Sequence, residues 1–254
     1  MAYLQGVYPI VKKELPARHI IDLTVSAPEM AAIARPGQFA HLKAEGLFLR
    51  RPISICEIDR EKGTLRFVFE IKGEGTRVLS EKRVGDNLDI MGPLGHGFAR
   101  PEGEIIVVGG GIGVPPMLET AKGYGEKATA ILGFRSANAV ILTQDFQRQG
   151  NRVVLCTDDG TMGFHGFVTQ ALEQQLQQKK PALICACGPH PMLKGVAQLA
   201  QQYGVDCQVS LEERMGCGVG ACLVCACRTV KDGQEYLSHV CKDGPVFDSK
   251  DVLF

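Results

Sequence analysis

The chain has 254 residues, of which 45% are apolar, so it is long enough for about two domains and can bury a sizeable core rather than remain disordered. Its 28 basic and 28 acidic side chains cancel, which removes the electrostatic reason to expect nucleic acid or an anionic membrane as a partner. No apolar run approaches the ~20 residues of a membrane span. The first residues, MAYLQGVYPIVKKEL, also lack the basic-then-apolar order of a secretory signal. The expectation is a cytoplasmic protein. Its ten cysteines then read as reduced thiols rather than a disulfide scaffold. Five of them fall between residues 217 and 241, and in a reducing compartment such clustering points to metal or redox chemistry.

Residues 1–100 carry short β-type runs between turn residues: HIIDLTVSA (19–27), GQFAHLKA (37–44), GTLRFVFEIK (63–72) and NLDIM (87–91). This spacing predicts a small antiparallel barrel or sandwich, interrupted by one short helix over 76–82. Within it, Arg50-Arg51-Pro52-Ile53-Ser54-Ile55 puts an arginine ahead of a rigid proline and a hydroxyl, a set able to grip a pyrophosphate. Taken alone, the same run fits a solvated strand end equally well. Gly73-Glu74-Gly75-Thr76 opens the short helix with backbone amides suited to the same diphosphate.

MGPLGHGFARPEG (91–103) reads as a linker. After it, strands at 104–109, 128–133, 152–156, 182–187 and 206–210 alternate with helices at about 115–123, 143–149, 165–178 and 190–203. Continuous apolar strands between amphipathic helices predict a parallel, doubly wound α/β sheet over 101–211. VVGGGIGVPPMLETA (107–121) runs strand, glycine turn, helix. Gly110, Gly111 and Gly113 let a phosphate approach the backbone at a helix N-terminus, and Pro115 and Pro116 suit a first helical turn. Many α/β proteins carry such a turn for packing alone; the strand-to-helix context favours a nucleotide. No acidic ribose partner closes the second strand, where LGFRSA supplies Arg135 and Ser136, so the motif leaves NAD and NADP open. Cys187-Gly188-Pro189 ends the fourth strand, where ligands bind in such sheets, and Cys187 is placed to face a nicotinamide. Cys156, Cys185 and Cys207 read as core residues.

The tail, 212–254, is rich in Gly and Cys and too small to bury a core without a metal or disulfide staple. Its spacing is Cys217-x4-Cys222-x2-Cys225, with Cys241 following at a distance. Three close thiolates and one remote one is the plant-type arrangement for a [2Fe–2S] cluster. Two irons bridged by two sulfides need four terminal thiolates, and Gly216, Gly218 and Gly220 let one loop bend round them and aim N–H groups at sulfur. Structural zinc is the rival, but its ligands usually come as two separated knuckles, so the spacing favours iron–sulfur. Cys227 shares a strand face with Cys225 and reads as packing, although spacing alone leaves it open as a ligand.

Taken in order, RPISI, the GEGT turn, GGGIGVPP and CGP resemble the ferredoxin reductase superfamily. SLEERMGCGVGACLVCACR with VCKDGPVF resembles, more narrowly, the electron-transfer subunits of class 1B dihydroorotate dehydrogenases. The resemblance spans essentially the whole chain. It implies an FAD-binding antiparallel β-barrel, an NAD-binding α/β domain and a small C-terminal [2Fe–2S] domain. It implies that Arg51, Pro52, Ile53 and Ser54 hold FAD, with Gly75 and Thr76 at the diphosphate and Val68, Phe69 and Glu70 along the flavin. It also implies that Cys217, Cys222, Cys225 and Cys241 ligate the cluster and that NAD+ is the acceptor. The family's partner is an FMN-containing catalytic subunit that oxidises dihydroorotate, and the expected complex has two copies of each chain. One departure stands out: many reductases of this type end in an aromatic stacked on the flavin, whereas this chain runs on into a cluster domain.

Overall fold

The structure, a computed structural model, describes residues 3–254. Met1 and Ala2, at the head of the stretch read above for a secretory signal, lie outside it. Six strands form a closed antiparallel barrel: β1 (Leu4–Ala17), β2 (Ile20–Ser26), β3 (Phe39–Leu42), β4 (Arg51–Asp59), β5 (Thr64–Glu70) and β6 (Asn87–Leu94), in the order β1-β2-β5-β4-β3-β6. Closure leaves no free sheet edge. Alternate residues such as Ile21, Leu23, Ala40, Leu42, Ile53, Phe67 and Phe69 fill its interior, following the period-2 rule of a strand. Helix α1 (Pro28–Ile33) plugs one side with Met30 and Ala31, and α2 (Glu74–Glu81) follows β5.

The second unit comprises β7 (Ile105–Gly110), α3 (Pro115–Ala121), β8 (Ala128–Phe134), α4 (Thr143–Arg148), β9 (Arg152–Thr157), β10 (Phe164–His165), α5 (Val168–Gln178), β11 (Leu183–Cys187), α6 (His190–Tyr203) and β12 (Cys207–Ser210). These strands are parallel. Successive residues of β7 face opposite layers: Val107 packs with Met117, Leu118 and Phe146 of α3 and α4, and Val108 with Leu172, Leu193 and Val196 of α5 and α6.

The tail opens with the cluster loop, followed by a hairpin of β13 (Ala226–Lys231) and β14 (Gln234–His239). Asp232 and Gly233 form its turn, both at positive φ (51° and 77°), as tight hairpin turns require. A last strand, β15 (Val246–Asp248), leaves the tail and pairs antiparallel with β12, completing the sheet order β10-β9-β8-β7-β11-β12-β15. The tail is thus fastened to the α/β sheet rather than hung from it. Among the described residues, no helix is long and apolar enough to cross a membrane.

Two polar clamps fix the barrel on the α/β unit. The amide of Ile58 on β4 donates to buried Glu119 Oε2 of α3 at 2.9 Å, and Lys122 Nζ returns a bond to the Ile58 carbonyl at 2.7 Å. Arg66 of β5 spans the same boundary, holding Asp22 of the barrel (Nη2–Oδ2, 2.7 Å) and Asp145 of α4 (Nη1–Oδ1, 2.9 Å).

Candidate functional site

The cluster loop is built by local backbone chemistry. Gly218 and Gly220 sit at positive φ (76° and 82°), which turns successive amides inward at little steric cost. Those amides end on sulfur. Cys217 Sγ accepts from the N–H groups of Val219, Ala221 and Cys222 at 3.4, 3.2 and 3.4 Å, and Cys222 Sγ accepts from Cys217 N at 3.3 Å. Cys241 Sγ accepts from Gly220 N at 3.2 Å, and Cys225 Sγ from Cys241 N at 3.4 Å. All four expected ligands therefore converge, and each sulfur is met by at least one amide donor, the environment that favours thiolate.

The four sulfurs fall into two pairs, Cys217 with Cys222 and Cys225 with Cys241, each tied by an amide of one member to the sulfur of the other. Two-plus-two grouping suits a binuclear cluster, in which each iron takes two protein thiolates, better than tetrahedral zinc. Burial pushes the Cys217 thiol up, but the amides of Val219 and Cys222, the Cys222 side chain and the amide of Ala221 outweigh it and bring it down to about 6. Cys241 is pushed up to about 12 by burial and by its neighbour Cys225. The outer pair is partly open, with Cys222 exposed, whereas Cys225 and Cys241 are buried against the core. Cys227 stays apart: it lies on β13 opposite Ser238, packs against that core, and burial pushes its thiol up to about 11. It is a packing residue.

On the barrel, the β3–β4 register places Phe39 opposite Ser54, Ala40 opposite Ile53 and His41 opposite Pro52. Directly opposed side chains share a face, so Ala40 and Ile53 fill the barrel while Phe39, Ser54, His41 and Pro52 face outward. Arg51 lies across the start of α2, where a Cβ on Gly75 would overlap its guanidinium. This brings the RPIS run and the GEGT turn together. Thr76 Oγ is spent on the turn itself, accepting from the amides of Lys72 and Gly73 at 2.9 and 3.2 Å. Of the three β5 residues, Val68 packs toward the α/β unit, Phe69 points into the barrel core, and Glu70 ends the strand half-exposed. Phe69 can therefore meet a ligand outside the barrel only through its backbone.

In the α/β unit the chain runs outward from β7 through β8, β9 and β10, then returns to place β11 on the other side of β7. The crevice at this reversal is where open sheets bind ligands. Both nucleotide motifs end there. Cys187 pairs with Gly109 across the two strands; a Cβ on Gly113 would overlap the Cys187 carbonyl, and one on Gly110 would lie 3.0 Å from Pro189 Cδ. Gly111 and Gly188 take positive φ (53° and 157°). Burial pushes the Cys187 thiol up to about 12, against a hydrogen bond with Ser210, so the thiol is uncharged at neutral pH. The ring of Phe254 meets His190 at the start of α6, with centroids 5.2 Å apart.

His41 was also missed. It is wholly buried (0% exposed) and neither ring nitrogen has a hydrogen-bond partner. Burial, and then the nearby Arg50 charge, push it down to about 4. A histidine in an alternating strand carries no sequence signal that separates it from ordinary packing.

Comparison with known proteins agrees with this geometry. Residues 212–253 match the family model described as the iron–sulfur cluster binding domain of dihydroorotate dehydrogenase B. The chain is 41% identical over 254 residues to the dihydroorotate dehydrogenase B (NAD+) electron transfer subunit of Geobacillus thermodenitrificans, covering 96% of each. It is 41% identical over 260 residues to that of Shouchella clausii, covering 98% of each. Among solved structures, a chain from work on flavin-based electron bifurcation by NADH-dependent reduced ferredoxin–NADP oxidoreductase superposes with TM-score 0.86 at 32% identity, covering 97% of this chain and 90% of that one. A ferredoxin NADP+ reductase from Neisseria gonorrhoeae, at 19% identity and TM-score 0.66 over 79% of this chain and 92% of that one, shares the fold. With such identity along nearly its whole length, the chain belongs to the family of dihydroorotate dehydrogenase B (NAD+) electron-transfer subunits.

Proposed function

We propose that the chain moves electrons from the FMN of a separate dihydroorotate-oxidising subunit, through a [2Fe–2S] cluster and FAD, to NAD+ in pyrimidine synthesis. The observation that carries this reading is the amide-capped, two-plus-two set of thiols seated against the outer face of the barrel. Three functional units divide the work: 1–100 for FAD, 101–211 for NAD and 212–254 for the cluster, the last anchored by β15. When bound, the flavin supplies the exchange between two-electron hydride chemistry and the one-electron chemistry of the cluster. The protein binds, orients and insulates.

In this reading Cys217 and Cys222 hold one iron, and Cys225 and Cys241 the other. Arg51, Gly75 and Thr76 bracket the FAD diphosphate, as the guanidinium lying over Gly75 supports. Pro52, Ile53 and Ser54 with Val68, Phe69 and Glu70 form the strand surface along the flavin, Ile53 and Phe69 through backbone. Gly110, Gly111 and Gly113 with Cys187, Gly188 and Pro189 receive the nicotinamide nucleotide at the β7/β11 reversal. The uncharged Cys187 thiol would sit beside the nicotinamide ring.

The partner docks beside the partly exposed outer pair. Leu223 and Val224, between Cys222 and Cys225, are 60% and 58% exposed, a placement unfavourable for a free surface and suited to a covered one. The described residues are taken up by the three units, whereas an FMN barrel needs ~250 of its own. In this reading the oxidation of dihydroorotate falls to the partner, in a complex of two copies of each subunit in the cytoplasm.

Anaerobic spectroscopy tests the reading. The purified protein should be brown, with flavin bands over iron–sulfur absorption, and NADH should bleach both. Colourless protein, or recovery from cells with a catalytic chain that lacks FMN, would refute it.

A further inference from the structure

The outer face of β3 is where the barrel meets the tail. Phe39 and Met91 from this face share a core with Cys225, Val240 and Cys241, and the His96 amide donates to the Gly244 carbonyl at 2.6 Å. His41 lies between the two. On one side the β3–β4 register sets it opposite Pro52 of the flavin strand, and on the other it lies opposite Met91 of β6. Its ring is pressed against the cluster loop: a Cβ on Gly218 would stand 2.8 Å from His41 Cε1 and 3.0 Å from each ring nitrogen. The imidazole is thus packed against the residue that follows ligand Cys217.

A neutral imidazole carries one N–H donor and one acceptor. Burying both without partners carries a desolvation penalty, which a stable fold seldom leaves uncompensated. Pro52 and Ser54, on the flavin side of the shared face, keep solvent contact, so water can serve polar groups there. The His41 nitrogens have no such contact, and what encloses them is the cluster loop. Neither nitrogen bonds a cysteine sulfur, and those sulfurs already accept from the loop's own amides, so the acceptor left for the imidazole is a sulfide of the cluster that these cysteines would hold.

We propose that His41 donates its ring N–H to a sulfide of the cluster and so sets the cluster's reduction potential from its place between the flavin strand and the cluster loop. This rests on the cluster reading given above. Reduction adds negative charge to the sulfurs, so an N–H donor stabilises the reduced form more than the oxidised one. Removing the donor lowers the potential.

The test uses the complex with its catalytic subunit, purified anaerobically, in three forms: wild type, His41→Leu and His41→Gln. Cluster reduction is followed by paramagnetic resonance and FAD reduction by absorbance in one redox titration. Loss of a donor that favours the reduced form shifts the reduced-to-oxidised cluster ratio of His41→Leu about tenfold toward oxidised, equivalent to about 59 mV for a one-electron couple. The FAD titration stays in place. The Gln amide restores most of the shift, which a purely steric role would not produce. Pulsed resonance on wild type labelled with 15N-histidine supplies a readout that needs no variant to fold, and should show an imidazole nitrogen coupled to the reduced cluster. An unshifted cluster in iron-replete His41→Leu, a shift in FAD instead, or a normal cluster signal with no nitrogen coupling would each overturn the His41 assignment alone. A wild type with no iron signal at all would overturn the cluster reading beneath it.

Discussion

Gly75→Ala sets fold stability and cofactor affinity against each other. Gly75 is buried near the start of α2, and its φ lies outside the left-handed region, so alanine fits the backbone. In a helix it should gain up to ~1 kcal/mol over glycine. The added Cβ would occupy the space of the Arg51 guanidinium, the end of a flexible side chain that can swing away without disturbing the barrel core. If Arg51 grips the FAD diphosphate, its displacement loses a charge-assisted interaction of about 1.5–3 kcal/mol. At about 1.4 kcal/mol per tenfold, FAD should bind about 10–100-fold more weakly, while the apoprotein unfolds at the same or slightly higher urea concentration. FAD affinity is read by flavin fluorescence quenching on the apoprotein, and stability by circular dichroism on the same samples. If the variant binds FAD within twofold of wild type, Arg51 is not the diphosphate grip, and the RPIS run is the solvated strand end that it also resembles.

Three further outcomes are expected. Arg66→Leu strands Asp22, whose side chain is 5% exposed, and cuts the link to Asp145, so unfolding free energy should fall by about 3–5 kcal/mol; a loss under 1 kcal/mol in urea titration would mean that the clamp carries no weight. Leu223→Glu should leave colour and NADH bleaching intact but release the catalytic subunit on size-exclusion chromatography, and a complex that survives would move the docking surface elsewhere. Cys222→Ser should abolish the iron signal yet retain FAD at one per chain, because the barrel closes without the tail; loss of flavin along with iron would show the units to be interdependent.

Much of this was legible in the sequence, for identifiable reasons. The α/β strands are continuous apolar runs bounded by glycine and helix signals, and β7, β8, β9, β11 and β12 fall within a residue or so of where those runs predict them. The strand β1 was not anticipated. Its apolar residues Val7, Val11 and Leu15 face solvent and two prolines interrupt it, so the alternation that marks a half-buried strand is absent. The return of β15 to the sheet was equally hidden, because a three-residue strand in a Gly- and Pro-rich tail is specified by its distant partner β12, not by its own pattern. The cysteine spacing foretold which four thiols converge. It did not foretell their division into a partly exposed and a buried pair, which depends on how the tail packs on the barrel. Val68, Phe69 and Glu70 show the limit of a motif: strand alternation sends Val68 and Phe69 to different cores, so a contiguous run does not present a contiguous surface. His41 needed burial and partner data that no spacing contains.

The most direct test of the account is elemental analysis, joined to paramagnetic resonance, of anaerobically purified and dithionite-reduced complex. The account predicts two irons and two acid-labile sulfides for each FAD, with a signal from a single one-electron-reduced binuclear centre that vanishes in Cys225→Ser. Zinc in place of iron, or iron without labile sulfide and without that signal, would contradict it.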